Sequence, residues 1–437
     1  MLRSPTSFLV RSATLAAILL VANIGLVAAQ PADTLRVRGI QDLVTEVRLG
    51  NSMLKAASLA SSALKQRPAQ VGALPDPVAG LALQPFPLYT ARGAQRSQWQ
   101  ISQAIPYPGK LALRAEEALL KAEEFSVSVA VLELDLVERI GLLYADLLLI
   151  RRQRVVIRKF QRQLTDFEGI ADVRYRVGEG TQQAILKAQL ERNALSNRLL
   201  ALDRRERTVV EQLSNLVNRP VSLSEVLRPG VLIHETPPES QVRSMALSQR
   251  PELKANDLSM QVAQVAQELA SKERLPDFGV SLTYFDIRDS SIPASADGRD
   301  AIAVGVSVKI PLQRKRIRAR EEETRVRRLL VEVQREALES AIRTTVDDLV
   351  YRLDRTLEQI SLFDTALIPQ AESALQATLI TYSTGRSGFL DLLDAQRMLF
   401  ELSWAREEAL SEFDKAGVAL QRALGKPMSS PSASNPD

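Results

Sequence analysis

No cysteine occurs in the 437 residues, and His234 is the one histidine. Disulfides, zinc ribbons and thiol catalysis are thereby excluded, and a histidine-rich metal site or a Ser-His-Asp enzyme lacks its parts. No paired-carboxylate motif takes their place, so no catalytic residue, metal ligand or cofactor site is expected. Aromatics are only 5% of the chain, and glycine and proline number 19 and 21, which suits long helices better than an all-β sandwich. An excess of charge is missing as well. Lys and Arg total 56 against 52 Asp and Glu, leaving +4, which is too little for a general polyanion-binding surface. Nucleic acid is therefore not an expected partner. What the chain does have is 45% apolar residues, which excludes global disorder.

The first 29 residues read as a secretory signal peptide. Arg3 and Arg11 supply positive charge, Ala13 to Val27 is uncharged and mostly apolar, and Val27-Ala28-Ala29 places small residues before a cut at Gln30. That apolar run is short for a transmembrane anchor. The later apolar stretch from Val129 to Ile150 carries Glu133, Asp135, Glu138, Arg139 and Asp146, a charge load that a lipid-facing helix does not tolerate. An exported chain of this kind enters a membrane only as a β-barrel.

The chain repeats itself at ~200 residues. Leu54-Lys55-Ala56 and Leu74-Pro75-Asp76 return as Leu253-Lys254-Ala255 and Leu275-Pro276-Asp277. Ile105-Pro106 with Lys110 returns as Ile310-Pro311 with Lys315. Tyr175, Gly178, Leu186, Ala188 and Gln189 return as Tyr382, Gly385, Leu393, Ala395 and Gln396. Three matches in order imply a tandem duplication: a first repeat over 30–227, a linker over 228–241 holding His234, a second repeat over 242–425, and a Ser- and Pro-rich disordered tail over 426–437.

Each repeat reads as helix, strand pair, long helix and returning helix. The first helical runs are Leu35 to Gln66 and Pro251 to Glu273. In the second repeat Phe278, Val280, Leu282 and Tyr284 alternate with small or polar neighbours, and so do Ile302, Val304, Val306, Val308 and Ile310. In the first repeat Trp99, Ile101, Gln103 and Ile105 mark one strand, and the other, from Val78 to Leu88, is interrupted by Pro85 and Pro87. No proline lies between Pro108 and Pro220, and apolar residues from Ala115 to Ile150 step by threes and fours, a coiled-coil-like stripe on a helix from Leu111 to Arg176. The second long helix runs from Leu312 to Ser383 with a kink at Pro369. The shorter helices fit end to end along the long ones, with the N-terminal helix stacked over the C-terminal one.

Four strands do not close a barrel that holds a channel, and open edges are not satisfied in lipid. Several chains must then pool strands at one end and helices at the other. On this view Ile302, Val304, Val306, Val308 and Ile310 face lipid. Gly178 and Gly385 are suited to a left-handed helix end after Val177 and Thr384, with Thr181 and Ser387 as N-caps of the returning helices. Arg314, Lys315, Arg316, Arg318 and Arg320 form a basic cluster just after a strand, read as a solvated face near the barrel rim.

These features resemble the TolC-like outer-membrane efflux ducts. The resemblance rests on the duplicated plan, the Arg250-Pro251-Glu252-Leu253 helix start, the Leu275-Pro276-Asp277 strand entry and the turns Tyr175-Arg176-Val177-Gly178 and Tyr382-Ser383-Thr384-Gly385. It implies a mainly α fold with a small β portion, in which a homotrimer forms a twelve-stranded barrel continued by a periplasmic helical coiled-coil barrel. It also implies a passive channel in the cell outer membrane, fed by an inner-membrane pump through a periplasmic adaptor. The turn residues Val177, Gly178, Thr181, Thr384, Gly385 and Ser387 would then dock the adaptor, where the residues alone read as plain helix hairpins. Asp391 and Asp394, three apart on one helix face, would line a gate, where the residues alone equally read as complementing a helix dipole. Ala184 stands at the corresponding place in the first repeat. Ile105-Pro106-Tyr107-Pro108-Gly109-Lys110 looks like the strand exit of ducts in heavy-metal efflux systems. A duct for protein secretion and a pore-free periplasmic coiled-coil scaffold are the alternatives.

Overall fold

The computed structural model describes residues 34–228, 238–290, 295 and 297–425. The segment read as a signal peptide, His234, most of the expected linker and the expected tail lie outside the described residues.

Among the described residues the chain is mainly helical, with one four-stranded and one two-stranded sheet. Strand β1 (Leu35–Val37) comes first, followed by α1 (Ile40–Gly50), α2 (Ser52–Leu64) and α3 (Arg67–Gly72). The sequence pattern predicts one helical run from Leu35 to Gln66, and the structure differs from it in two places. Leu35–Val37 is extended because it pairs in parallel with β4 (Val221–Leu223), Leu35 opposite Val221. At Asn51 the backbone is extended, with φ −67° and ψ 121°. The short amide stabilises that break: Asn51 Oδ1 accepts from the Leu54 N–H at 2.9 Å and its Nδ2 donates to the Leu216 carbonyl at 2.7 Å.

Strands β2 (Val78–Thr90) and β3 (Gly93–Ile105) form a hairpin, as do β5 (Asp277–Arg288) and β6 (Ala301–Lys309). The sheet order is β2-β3-β5-β6, with β3 and β5 antiparallel, so β2 and β6 are its two edges. Pro85 and Pro87 sit inside a register shift between Leu83 and Leu88, where a residue without an N–H does not break a ladder. Ile310 falls one residue beyond the end of β6, just before Pro311. Cross-strand rows put apolar residues on one face: Leu81, Trp99, Tyr284 and Ile302 in one row, Ala79, Ile101, Leu282 and Val304 in the next. In the single chain this face is bare, with Ile302 70%, Val304 79% and Val306 75% exposed.

The long helix α4 (Lys110–Arg176) has 67 residues, about 100 Å at ~1.5 Å per residue. Its apolar stripe is buried through Ile140, Leu147, Ile157, Phe160, Leu164 and Ala171. Near the sheet α4 packs on α2, α3 and α7 (Pro251–Lys272), and farther down on α5 (Gln182–Val217) and α10 (Phe389–Ala423). The second long helix is α8 (Arg314–Leu362), continued by a single π turn (Phe363–Leu367) and α9 (Ile368–Ser383). Where a kink is expected at Pro369, the structure has this π turn, in which the Ile368 N–H reaches back five residues to the Phe363 carbonyl. The remaining helix, α6 (Glu239–Gln249), packs on α8.

The short helices do stack end to end, but within a repeat. The α1–α2 junction stands on the end of α5, through Asn51 and through Glu46 paired with Arg219 at 2.7 Å. The start of α7 meets the end of α10, where Arg422 bridges Glu252 at 2.6 Å and Asp135 at 2.7 Å. The N-terminal helices therefore do not stand over the C-terminal one. The capping chemistry of Asn51 selects α5 instead.

The two repeats are pinned together at the root of the sheet. Lys110 is 4% exposed, and its Nζ reaches Asp277 Oδ1 at 2.7 Å and the Leu275 carbonyl at 3.0 Å. The Tyr107 N–H donates to the same carboxylate at 2.9 Å. Removing the carboxylate would leave a buried cation without its partner, which is strongly destabilising.

Candidate entrance at the paired helical turns

The far ends of the long helices, opposite the sheet, bring the two turns together. Both close by the same hydrogen bonds. The Gly178 N–H donates to the Tyr175 carbonyl at 3.1 Å and the Glu179 N–H to the Arg174 carbonyl at 2.9 Å. In the second copy the Gly385 N–H donates to Tyr382 at 3.1 Å and the Arg386 N–H to Thr381 at 2.8 Å. These are Schellman ends, and they require a left-handed residue after Val177 and after Thr384. Gly178 and Gly385 supply it at φ +78° and +74°.

The returning helices start differently from the reading of the sequence. Thr181 is the N-cap of α5 but makes no capping hydrogen bond through its side chain. The N-cap of α10 is Gly388, one residue after Ser387. The Ser387 hydroxyl is engaged with that of Thr381 at 3.1 Å, and Asp391 takes over the capping by accepting from the Gly388 N–H at 3.0 Å. Asp391 and Asp394 are both exposed on one face of α10. They border a groove between α10 and α5 that is also lined by Lys187, Leu190, Glu191 and Arg397. Arg397 pairs with Glu191 across this groove. Its pKa is held above the ordinary value first by that hydrogen bond, against the opposing effect of burial, with the Asp394 charge adding to it.

Arg174 belongs to this site and escaped the sequence reading. Its guanidinium leaves the first turn, donates to the Tyr382 carbonyl of the second, and lies 5.0 Å from the centre of the Tyr382 ring. Tyr382 is 5% exposed and meets Phe389 edge-on at 5.4 Å. Burial pushes its phenol pKa up, and the Arg174 charge pulls the other way. The duplication gave no signal, because Thr381 stands at the corresponding position of the second copy.

A valine at either glycine forces a β-branched residue into left-handed backbone, at about 1–2 kcal/mol. At Gly178 a Cβ meets nothing within 4 Å, whereas at Gly385 it lies 3.2 Å from Arg174 Nη2. Gly385→Val is therefore expected to displace Arg174 and to lower the melting temperature further than Gly178→Val. Thermal unfolding of the two variants checks this, and equal shifts would contradict the contact.

The strand residues lie at the other end of α4 and share no contact with the turns. The basic residues Arg314, Lys315, Arg316, Arg318 and Arg320 are exposed on the first turns of α8, with Arg320 paired to Glu323 at 3.0 Å. Among the described residues no group of His, Asp or Glu is placed to hold a metal ion, and no helix is long and apolar enough to cross a membrane.

Residues 242–426 match the family model described as outer membrane efflux protein. Among solved structures the chain is similar to CusC, described for the conformational changes that accompany folding and transmembrane channel formation. The identity is 16%, the TM-score 0.75, and the match covers 89% of this chain and 92% of that one. It is similar to the outer membrane protein VceC of Vibrio cholerae at 16% identity and a TM-score of 0.73, over 89% and 96% of the two chains. The open state of the Neisseria gonorrhoeae outer membrane channel MtrE gives 17%, 0.72, and 89% of each chain. Likeness at such identities establishes the fold. No curated protein sequence matches the chain.

Proposed function

We propose that this protein is a passive outer-membrane duct of a tripartite efflux system. Three copies pool their sheets into one barrel, and their long helices continue it as a tunnel across the periplasm. An inner-membrane pump loads the tunnel through a periplasmic adaptor. The duct catalyses nothing.

The observation that carries this reading is the bare sheet. Its apolar face, continuous across all four strands, is out of water only in lipid, and its two unpaired edges need further strands. A scaffold without a pore has no use for either. The match of the second repeat to outer membrane efflux proteins supports the same reading. In this duct Ile302, Val304, Val306 and Val308 face lipid, the turns around Gly178 and Gly385 receive the adaptor, and Asp391 and Asp394 line the entrance. The cargo is small solutes, with metal cations the first to test because of the Ile105 to Lys110 strand exit. The test is fractionation: the protein should require detergent for release from outer membranes and emerge as a trimer. A freely soluble periplasmic product would overturn the proposal.

A further inference from the structure

The Lys110 joint is made of two halves, and the chain carries both halves twice. The donor half, Ile105-Pro106 to Lys110, follows β3. Its duplicate, Ile310-Pro311 to Lys315, follows β6. The acceptor half, Leu275-Pro276-Asp277, leads into β5, and its duplicate, Leu74-Pro75-Asp76, leads into β2. Within the chain only one pair meets, because β3 and β5 are neighbours while β6 and β2 are opposite edges of the sheet. Lys110 is buried on its carboxylate. Lys315 and Asp76 are both exposed, and among the described residues neither side chain has a hydrogen bond or an ion pair.

We infer that the missing half comes from a second copy of this chain: Lys315 of one copy seats on Asp76 and the Leu74 carbonyl of the next, and β6 pairs antiparallel with that copy's β2. The pairing register follows from the one already present. Ile105 lies opposite Phe278 and Gln103 opposite Val280. Carried through the repeat, this places Val308 opposite Ala79, Val306 opposite Leu81 and Val304 opposite Leu83 of the next copy. The face pattern agrees independently. Val304 shares a row with Leu282, Ile101 and Ala79, and Leu81 shares one with Trp99. The inferred register therefore continues the apolar face across the joint, and a slip of one residue would bring Leu81 opposite Gly305 or Ser307 on the other face.

This inference rests on the proposed duct only in requiring several copies. Because the natural chain has no cysteine, introduced thiols report the register without background. Val306→Cys with Leu81→Cys in one chain should give covalent dimers and trimers on oxidation in isolated membranes. Val306→Cys with Ala82→Cys, one residue out of register, should not. Asp76→Lys and Lys315→Asp should each reduce the yield of trimer several-fold, and the two together should restore it. A membrane-bound wild-type trimer in which the in-register thiols stay free, or only the out-of-register pair links, overturns the joint and leaves the duct standing. A monomeric wild type overturns both.

Discussion

Replacing Val306 by Arg is expected to abolish most membrane assembly, while replacing its neighbour Ser307 by Arg is expected to leave it largely intact. Val306 is 75% exposed in the single chain and lies near the middle of β6 on the apolar face. An Arg at the bilayer midplane costs about 2–4 kcal/mol, and an assembly of several copies incurs that cost at every copy. Ser307 points the other way. Its Oγ lies 2.6 Å from where a Cβ on Gly279 would stand, so it lies on the opposite face, which the proposed barrel would turn to a watery lumen. The amount of detergent-released oligomer in the outer-membrane fraction decides the matter. Equal tolerance of the two changes would reject the face assignment and the barrel with it.

Much of the architecture is legible from period and punctuation. The strands announce themselves by alternation, the long helices by the absence of proline, and the helix ends by glycines that fill left-handed positions. What stayed hidden depends on partners far away in sequence. Leu35–Val37 is too short to show a period, and it is a strand only because Val221–Leu223 lies beside it. Gly50-Asn51-Ser52 is a local break signal inside a helical run, but what holds Asn51 at the break is the distant Leu216 carbonyl. Ser387 has the right chemistry for an N-cap but is held by Thr381, leaving Asp391 to satisfy the Gly388 N–H. Arg174 has no counterpart in the duplicate, so comparison of the copies passes over it. The duplication did reveal which halves of the Lys110 joint recur. Only the strand order reveals that one pair of them is left open.

If the groove between α10 and α5 lines the entrance of the proposed duct, a reversal of ion preference is expected. Asp391, Asp394 and Glu191 set three carboxylates against Lys187 and Arg397, a net charge of −1 in each copy. In the proposed trimer, symmetry would gather these charges around one narrow ring, whose low-dielectric walls would focus the field. In a planar bilayer the channel should prefer cations, and multivalent cations on the periplasmic side should block it. Asp391→Asn with Asp394→Asn removes two negative charges from each copy and leaves a net +1, so the preference should turn to anions and the block should be lost. Asparagine is the informative choice because its side-chain oxygen still accepts from the Gly388 N–H, and the cap survives. Alanine at Asp391 would also forfeit the cap, at about 0.5–2 kcal/mol, and confuse stability with conduction. If the Asn pair assembles normally and cation block is unaltered, neither residue faces the pore, and Asp391 serves α10 solely as its cap.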